Sequence, residues 1–208
     1  MALSSADHSV SPPRLAIPRD YNAAADLIER NLQAGRGGKV AFHDDAGSLT
    51  YAQLAERVNR FGSGLLAMGL RMEDRILLAM HDTCDWPVAF LGAIRAGIVP
   101  IAVNTLLTPK DYQYMLSDSR AKALVVSDAL QPQFKPILEK LPFLKHVLVT
   151  GSSFKEAEAR GQAELAPAPT TRDDACFWLY SSGSTGMPKG TVHAHSSMVE
   201  TAELYARG

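Results

Sequence analysis

Residues 181–190 read Ser181-Ser182-Gly183-Ser184-Thr185-Gly186-Met187-Pro188-Lys189-Gly190, a run of small hydroxylic residues and glycines closed by a proline and a lysine. Glycines permit the sharp turns that bring successive backbone N–H groups to one side, and such a nest of donors attracts an anion. The hydroxyls add donors without bulk, and Lys189 adds a full positive charge on a backbone that Pro188 restricts. The set suits a phosphate chain. A flexible linker has a similar composition, but the flanks are of another kind. Ala175-Cys176-Phe177-Trp178-Leu179-Tyr180 has the length and apolarity of a buried strand, and Thr191-Val192-His193-Ala194-His195 reads as a second short strand. The nucleotide loop of kinases and GTPases places lysine directly after glycine, with serine or threonine following for magnesium. Here two residues separate Gly186 from Lys189, and Gly190 follows. No Gly-x-Gly-x-x-Gly dinucleotide turn is present.

Other groupings of reactive side chains have plainer readings. His193 and His195 would share one face of a strand, a spacing also used by metal sites, yet no carboxylate or cysteine is paired with them in the sequence. A packing role fits His195, and His193 is left without a role. Asp44-Asp45-Ala46-Gly47 has the chemistry of a turn, not of an acid–base pair. His81-Asp82-Thr83-Cys84-Asp85 crowds possible ligands together, but Asp or Thr before a helix with Pro87 in its first turn is ordinary capping. The sequence therefore predicts no metal site and no catalytic side chain in this portion, and one anion-binding loop.

The elements that must carry the loop follow from periodicity. Residues 1–20, with Pro12, Pro13 and Pro18, read as an amino-terminal tail or surface arm, and 21–208 as one folded unit. A helix starts at Asn22 and ends near Gly35; Lys39–Phe42 is a strand that opens a hairpin through the Asp44–Gly47 turn. Thr50 and Gln53 form a capping box, Leu54, Val58, Phe61 and Leu65 recur at helical spacing, and Gly69 ends that helix. Arg75–Met80, Val99–Val103, Ala123–Ser127 and His146–Thr150 are strands, the first apolar enough to be buried on both faces. Between them lie helices Trp86–Ala96, Thr108 to about Leu116, and Gln131–Lys140. Residues 151–171 are polar and read as a long surface excursion; Ser196–Arg207 is the last helix. Strands alternating with helices predict an α/β fold, a largely parallel sheet flanked by helices.

Composition limits the function. At 208 residues, 46% hydrophobic and 21% charged, the chain can bury a core and has a soluble globular balance. A net charge of −1 gives no attraction to nucleic acid or an anionic membrane. No run of eighteen apolar residues offers a membrane span, and the first residues lack the basic and apolar regions of a signal peptide, so a cytoplasmic location is expected. Two cysteines, Cys84 and Cys176, read as buried free thiols and not as a disulfide framework.

The motif Ser-Ser-Gly-Ser-Thr-Gly-x-Pro-Lys-Gly followed by a strand-like segment ending in His195 resembles the phosphate-binding loop of the adenylate-forming superfamily, which includes acyl-CoA synthetases, luciferases and peptide-synthetase adenylation domains. Asp85-Trp86-Pro87-Val88-Ala89-Phe90-Leu91-Gly92-Ala93-Ile94, Asn104-Thr105-Leu106-Leu107-Thr108-Pro109 and Asp118-Ser119-Arg120 are similar to segments of benzoate-CoA ligases. From Tyr21 to Gly208 the resemblance is to the amino-terminal part of such an enzyme. It implies an acid–thiol ligase that uses ATP, Mg2+, coenzyme A and a benzoate-like carboxylate, with a place in the breakdown of aromatic compounds. It assigns the phosphates to Ser181, Ser182, Gly183, Ser184, Thr185, Gly186 and Lys189. The magnesium-holding acid, the ribose aspartate, the mobile domain with its catalytic lysine and most of the acyl and coenzyme A pockets would come from later segments, so this portion by itself is expected to be inactive and to need the remainder of the enzyme. Fatty-acyl or amino-acid adenylation, or a non-catalytic phosphate-binding module, are the competing readings.

Overall fold

The structure is a computed structural model and describes residues 1–181 and 186–206. In chain order the elements are β1 (Ser5–Asp7), β2 (Arg14–Ala16), α1 (Ala23–Gln33), β3 (Val40–Asp44), β4 (Gly47–Thr50), α2 (Tyr51–Ala67), β5 (Arg75–Ala79), α3 (Asp85–Arg95), β6 (Val99–Ala102), α4 (Pro109–Asp118), β7 (Ala123–Val126), α5 (Gln131–Phe134), β8 (His146–Val149), α6 (Ser153–Arg160), β9 (Ala175–Ser181), β10 (Lys189–Ala194) and α7 (His195–Thr201). Six strands form one sheet in the order β10-β9-β6-β5-β7-β8. All neighbours pair parallel except β10, which runs antiparallel to β9 along the edge. The α/β architecture read from the alternation is therefore present, with one antiparallel edge strand.

Strand alternation divides the core in two. Ile76 and Leu78 of β5 and Ala123 and Val125 of β7 pack with Leu54, Val58, Phe61 and Leu65 of α2 and with α1, α3 and α6. Leu77, Ala79, Leu124 and Val126, one residue out of phase, pack instead with Tyr112, Met115 and Leu116 of α4 and with Phe134 of α5. A sheet covered on both faces needs apolar side chains at consecutive positions, and β5 supplies them. Thr50 caps α2 through a box with Gln53, as the local sequence predicts, and Thr108, read as a helix start, caps α4 through a box with Asp111.

Several local expectations are corrected. Residues 151–171 are not all irregular, since α6 occupies Ser153–Arg160. It is short and polar, so its signal is weak; what holds it is Phe154, fully buried and stacked on Phe61 of α2 with centroids 4.5 Å apart. Predicted as one helix, Gln131–Lys140 breaks into α5 and a separate 3₁₀ turn at Leu138–Lys140, consistent with Pro136, which cannot donate within a helix, whereas Pro132 falls in the first turn of α5, where proline is tolerated. Residues 5–7 and 14–16 pair as a hairpin that the sequence did not signal. Ser4 next to it is buried against Asp26, its Oγ donating to the carboxylate at 2.5 Å.

The amino-terminus of α3 is capped from a distance. Neither Asp82 nor Thr83 caps it; no side chain at its N-cap residue, Cys84, does so. Instead Asp44, in the β3–β4 turn, accepts the Cys84 N–H at 2.7 Å with one carboxylate oxygen and the Ala46 and Gly47 N–H groups with the other. The turn chemistry read for Asp44 is there, with this second task added. Asp85 belongs to an ion-pair network: Arg57 of α2 reaches Asp85 and Glu158, each at 2.6 Å, and Lys155 reaches Asp85 at 2.7 Å. Burial pushes the Asp85 carboxyl up, but the hydrogen bonds from Lys155 and Arg57 outweigh it and hold the group below the ordinary range. Among the described residues both cysteines are free thiols, Cys176 buried and Cys84 partly so.

Candidate phosphate-binding site

The stem of the glycine- and serine-rich loop is built from the sheet itself. β9 lies parallel to β6, pairing Ile101 with Trp178 and Ala102 with Leu179, so it delivers the loop at the carboxyl end of the parallel strands. This is the end of an open α/β sheet at which ligands bind. The chain then returns as β10, with Lys189 opposite Ser181 and Gly190 opposite Tyr180. Ser181 and Lys189 are both exposed and face each other across the mouth of the loop. Gly186 has a φ of +111°, a conformation open to glycine and strained for other residues. Ser182, Gly183, Ser184 and Thr185 lie outside the described residues.

Glycine at position 190 serves close packing. A Cβ there would lie 3.2 Å from the Trp178 ring and 3.6 Å from that of Tyr180, so its absence lets both aromatic side chains lie against β10. Helix α4 supports the stem from the side. The Tyr114 hydroxyl donates to the Pro188 carbonyl at 3.1 Å, and the Tyr114 ring meets the Tyr180 ring edge-on at 6.5 Å. Tyr180 donates to the Asp118 carboxylate at 2.7 Å. Burial, then the Asp118 hydrogen bond and charge, push its phenol well above the ordinary range, so it stays a neutral donor. A cavity of about 260 Å3 adjoins this stem, walled by residues that include Val103, Asn104, Leu107, Met115, Tyr180 and Pro188. A larger cleft of about 660 Å3 lies elsewhere, between the β3–β4 hairpin and the Arg57–Asp85–Lys155 network, and takes none of its lining from the described loop residues.

The two histidines do not share a face. The register shifts between His193 and Ala194, and His195 is the first residue of α7 rather than the end of a strand. His193 stacks flat on Phe177, centroids 4.5 Å apart and planes within 4°. His195 is 1% exposed, and its Nδ1 accepts the backbone N–H of Ala23 at the start of α1, at 3.1 Å. Burial pulls its pKa down to about 4, partly opposed by the negative charge of Asp174, so the ring is neutral with its proton on Nε2. Beside it, Asn22 caps α1 and donates to Ile94 O at 2.9 Å and Thr170 Oγ1 at 3.2 Å. Thus α1, α3, the segment before β9 and the helix after β10 are joined around one buried polar cluster. Sequence reasoning took Asn22 only as a helix start and did not single out Tyr114 or Thr170, because the partners that join them lie 72 or more residues away along the chain.

With that geometry in place, comparison with known proteins gives a family. The model of the AMP-binding enzyme family matches residues 28–207. The chain belongs to that family, and its fold is that of the amino-terminal part of adenylate-forming enzymes. It is 57% identical to the benzoate–CoA ligase of Thauera aromatica over 99% of its own length and 40% of that protein. It is 44% identical to the 4-hydroxybenzoate–CoA/benzoate–CoA ligase of Rhodopseudomonas palustris, over 91% of the chain and 36% of the relative. Among solved structures, a benzoate CoA ligase from Burkholderia xenovorans matches with a TM-score of 0.82 at 45% identity, covering 90% of this chain and 37% of that one. An anthranilate CoA ligase in complex with anthranoyl-AMP matches with a TM-score of 0.87 at 36% identity, over 91% and 36%. The chain spans about two fifths of the length of these relatives.

Proposed function

We propose that this chain is the nucleotide-phosphate-holding portion of an ATP-dependent aryl-CoA ligase with benzoate or a close analogue as its acid. The observation that carries the reading is the strand–loop–strand stem, which sets Ser181 opposite Lys189 at the carboxyl end of the parallel sheet. In the proposed reaction a carboxylate oxygen attacks the α-phosphorus of ATP, the bond to the bridging oxygen breaks, and pyrophosphate leaves. The thiol of coenzyme A then takes the acyl group from the acyl-adenylate and releases AMP. Ser181, Ser182, Gly183, Ser184, Thr185, Gly186 and Lys189 hold the β- and γ-phosphates, where negative charge grows as pyrophosphate departs. Each hydrogen bond to a charged group contributes roughly 1.5–3 kcal/mol, so a few of them suffice to fix the triphosphate.

Mg2+ accompanies the triphosphate in this reading. Among the described residues no group of three or more His, Cys, Asp or Glu side chains is placed to hold a metal ion, so no step is assigned to one. The test is benzoate-dependent exchange between ATP and pyrophosphate by the full-length protein. Thr185→Ala and Lys189→Ala should each cut the exchange at limiting ATP by about tenfold or more, the loss of one or two charged hydrogen bonds. Unchanged kinetics in both would remove the loop from the reaction. Exchange with a fatty or amino acid but not with benzoate would move the substrate class, and pyrophosphate binding without any carboxylate-dependent exchange would leave a binding module.

A further inference from the structure

We infer that Tyr114 is a positioning residue for the phosphate loop, its hydroxyl fixing the peptide that carries Lys189. The inference rests on the loop's role as a phosphate site. Pro188 has no N–H, so its only backbone polar group is the carbonyl, and that carbonyl accepts the Tyr114 hydroxyl at 3.1 Å. The accepting oxygen belongs to the peptide that joins Pro188 to Lys189. Its orientation sets ψ of Pro188 and φ of Lys189, and hence the direction in which the lysine side chain leaves the backbone. From the other side, pairing with Ser181 at the first register position of β10 holds Lys189. Lys189 is exposed at the sheet edge and has a long flexible stem, so positioning must come from its backbone.

The helix that supplies the tyrosine is itself held firmly. Its capping box pairs the Asp111 N–H with Thr108 Oγ1 and the Thr108 N–H with the Asp111 carboxylate, and Thr108 Oγ1 also donates to that carboxylate at 2.6 Å. Tyr112 is fully buried, stacks on Phe134 at 4.5 Å and donates to Asn104 O at 2.9 Å. Met115 and Leu116 lie in the same core. Rotation of α4 would break all of these, so Tyr114 meets the loop stem from a rigid base. Tyr180 backs it edge-on while anchored to Asp118. Tyr114 itself is only half-buried, which makes removal of its hydroxyl a mild change for the fold.

The experiment is calorimetric ATP binding to the full-length protein, with Tyr114→Phe, Lys189→Ala and the double variant. Tyr114→Phe should weaken ATP binding by about threefold to tenfold, the size of one hydrogen bond, with the thermal midpoint unchanged within about 2 °C. In the Lys189→Ala background the same change should weaken binding by less than about 1.5-fold, because the group it positions is gone. Additive losses, or a Tyr114→Phe protein that binds ATP as the parent does, would overturn the inference. If the parent protein binds no ATP, the loop reading itself falls, and the inference falls with it.

Discussion

The imidazole of His195 and the backbone of Ala23 meet at 3.1 Å, and this bond joins the helix that follows β10 to the first turn of α1. The first N–H groups of a helix have no partner within it, and Ala23 and His195 are both buried away from water. The imidazole satisfies a donor that would otherwise cost free energy.

Replacing that acceptor should therefore be expensive. His195→Ala leaves the Ala23 N–H unpaired and opens a cavity, and we expect a loss of about 2–4 kcal/mol in unfolding free energy. His195→Asn keeps an acceptor near the position of Nδ1 and should lose about half as much or less. Chemical denaturation of both variants checks this; equal losses would mean that volume, not the hydrogen bond, is what His195 contributes.

The same residue should impose a pH dependence. Its pKa falls from an ordinary 6.5 to about 4 on folding, chiefly through burial. Between those values the unfolded chain binds more protons than the folded one, so stability rises with pH across the window and is lost as pH falls from about 6.5 to about 4. The full effect is roughly 3 kcal/mol. Unfolding measured at pH 7, 5.5 and 4.5 should show the decline, and His195→Asn should flatten it by that amount. An equally steep decline in the variant would assign the dependence to other groups.

A third prediction concerns the contact between α2 and α6. A Cβ on Gly64 would run into the backbone carbonyl of Ala157, and rigid backbone cannot yield as a side chain can. Gly64→Ala raises intrinsic helix propensity by about 1 kcal/mol, so on helix propensity alone it would stabilise. We expect instead a net loss of about 1–3 kcal/mol as α6 is pushed off α2. A rise in the thermal midpoint would show that α6 shifts freely.

Where sequence and structure agree, the signals are local. The alternation of strands and helices, the capping box at Thr50, the helix start at Thr108 and the apolar run of β5 are each written in neighbouring residues. Their physical causes act over one or two turns of chain, so they survive reading without a fold. The family was legible for the same reason, through the loop motif that resembles it.

What the sequence could not contain is the set of partners brought from far away. Asp44 caps α3 across 40 residues, Phe154 becomes helical core only because Phe61 lies over it, and the Tyr114 hydroxyl reaches Pro188 across 74 residues. His193 and His195, two apart in sequence, part company because a bulge and a helix start fall between them. Residue type and spacing determined most of the elements and marked one loop whose composition suits an anion. Tertiary structure decided which side chains hold that loop in place, because packing two layers of helices on a parallel sheet chooses contacts that no local pattern encodes.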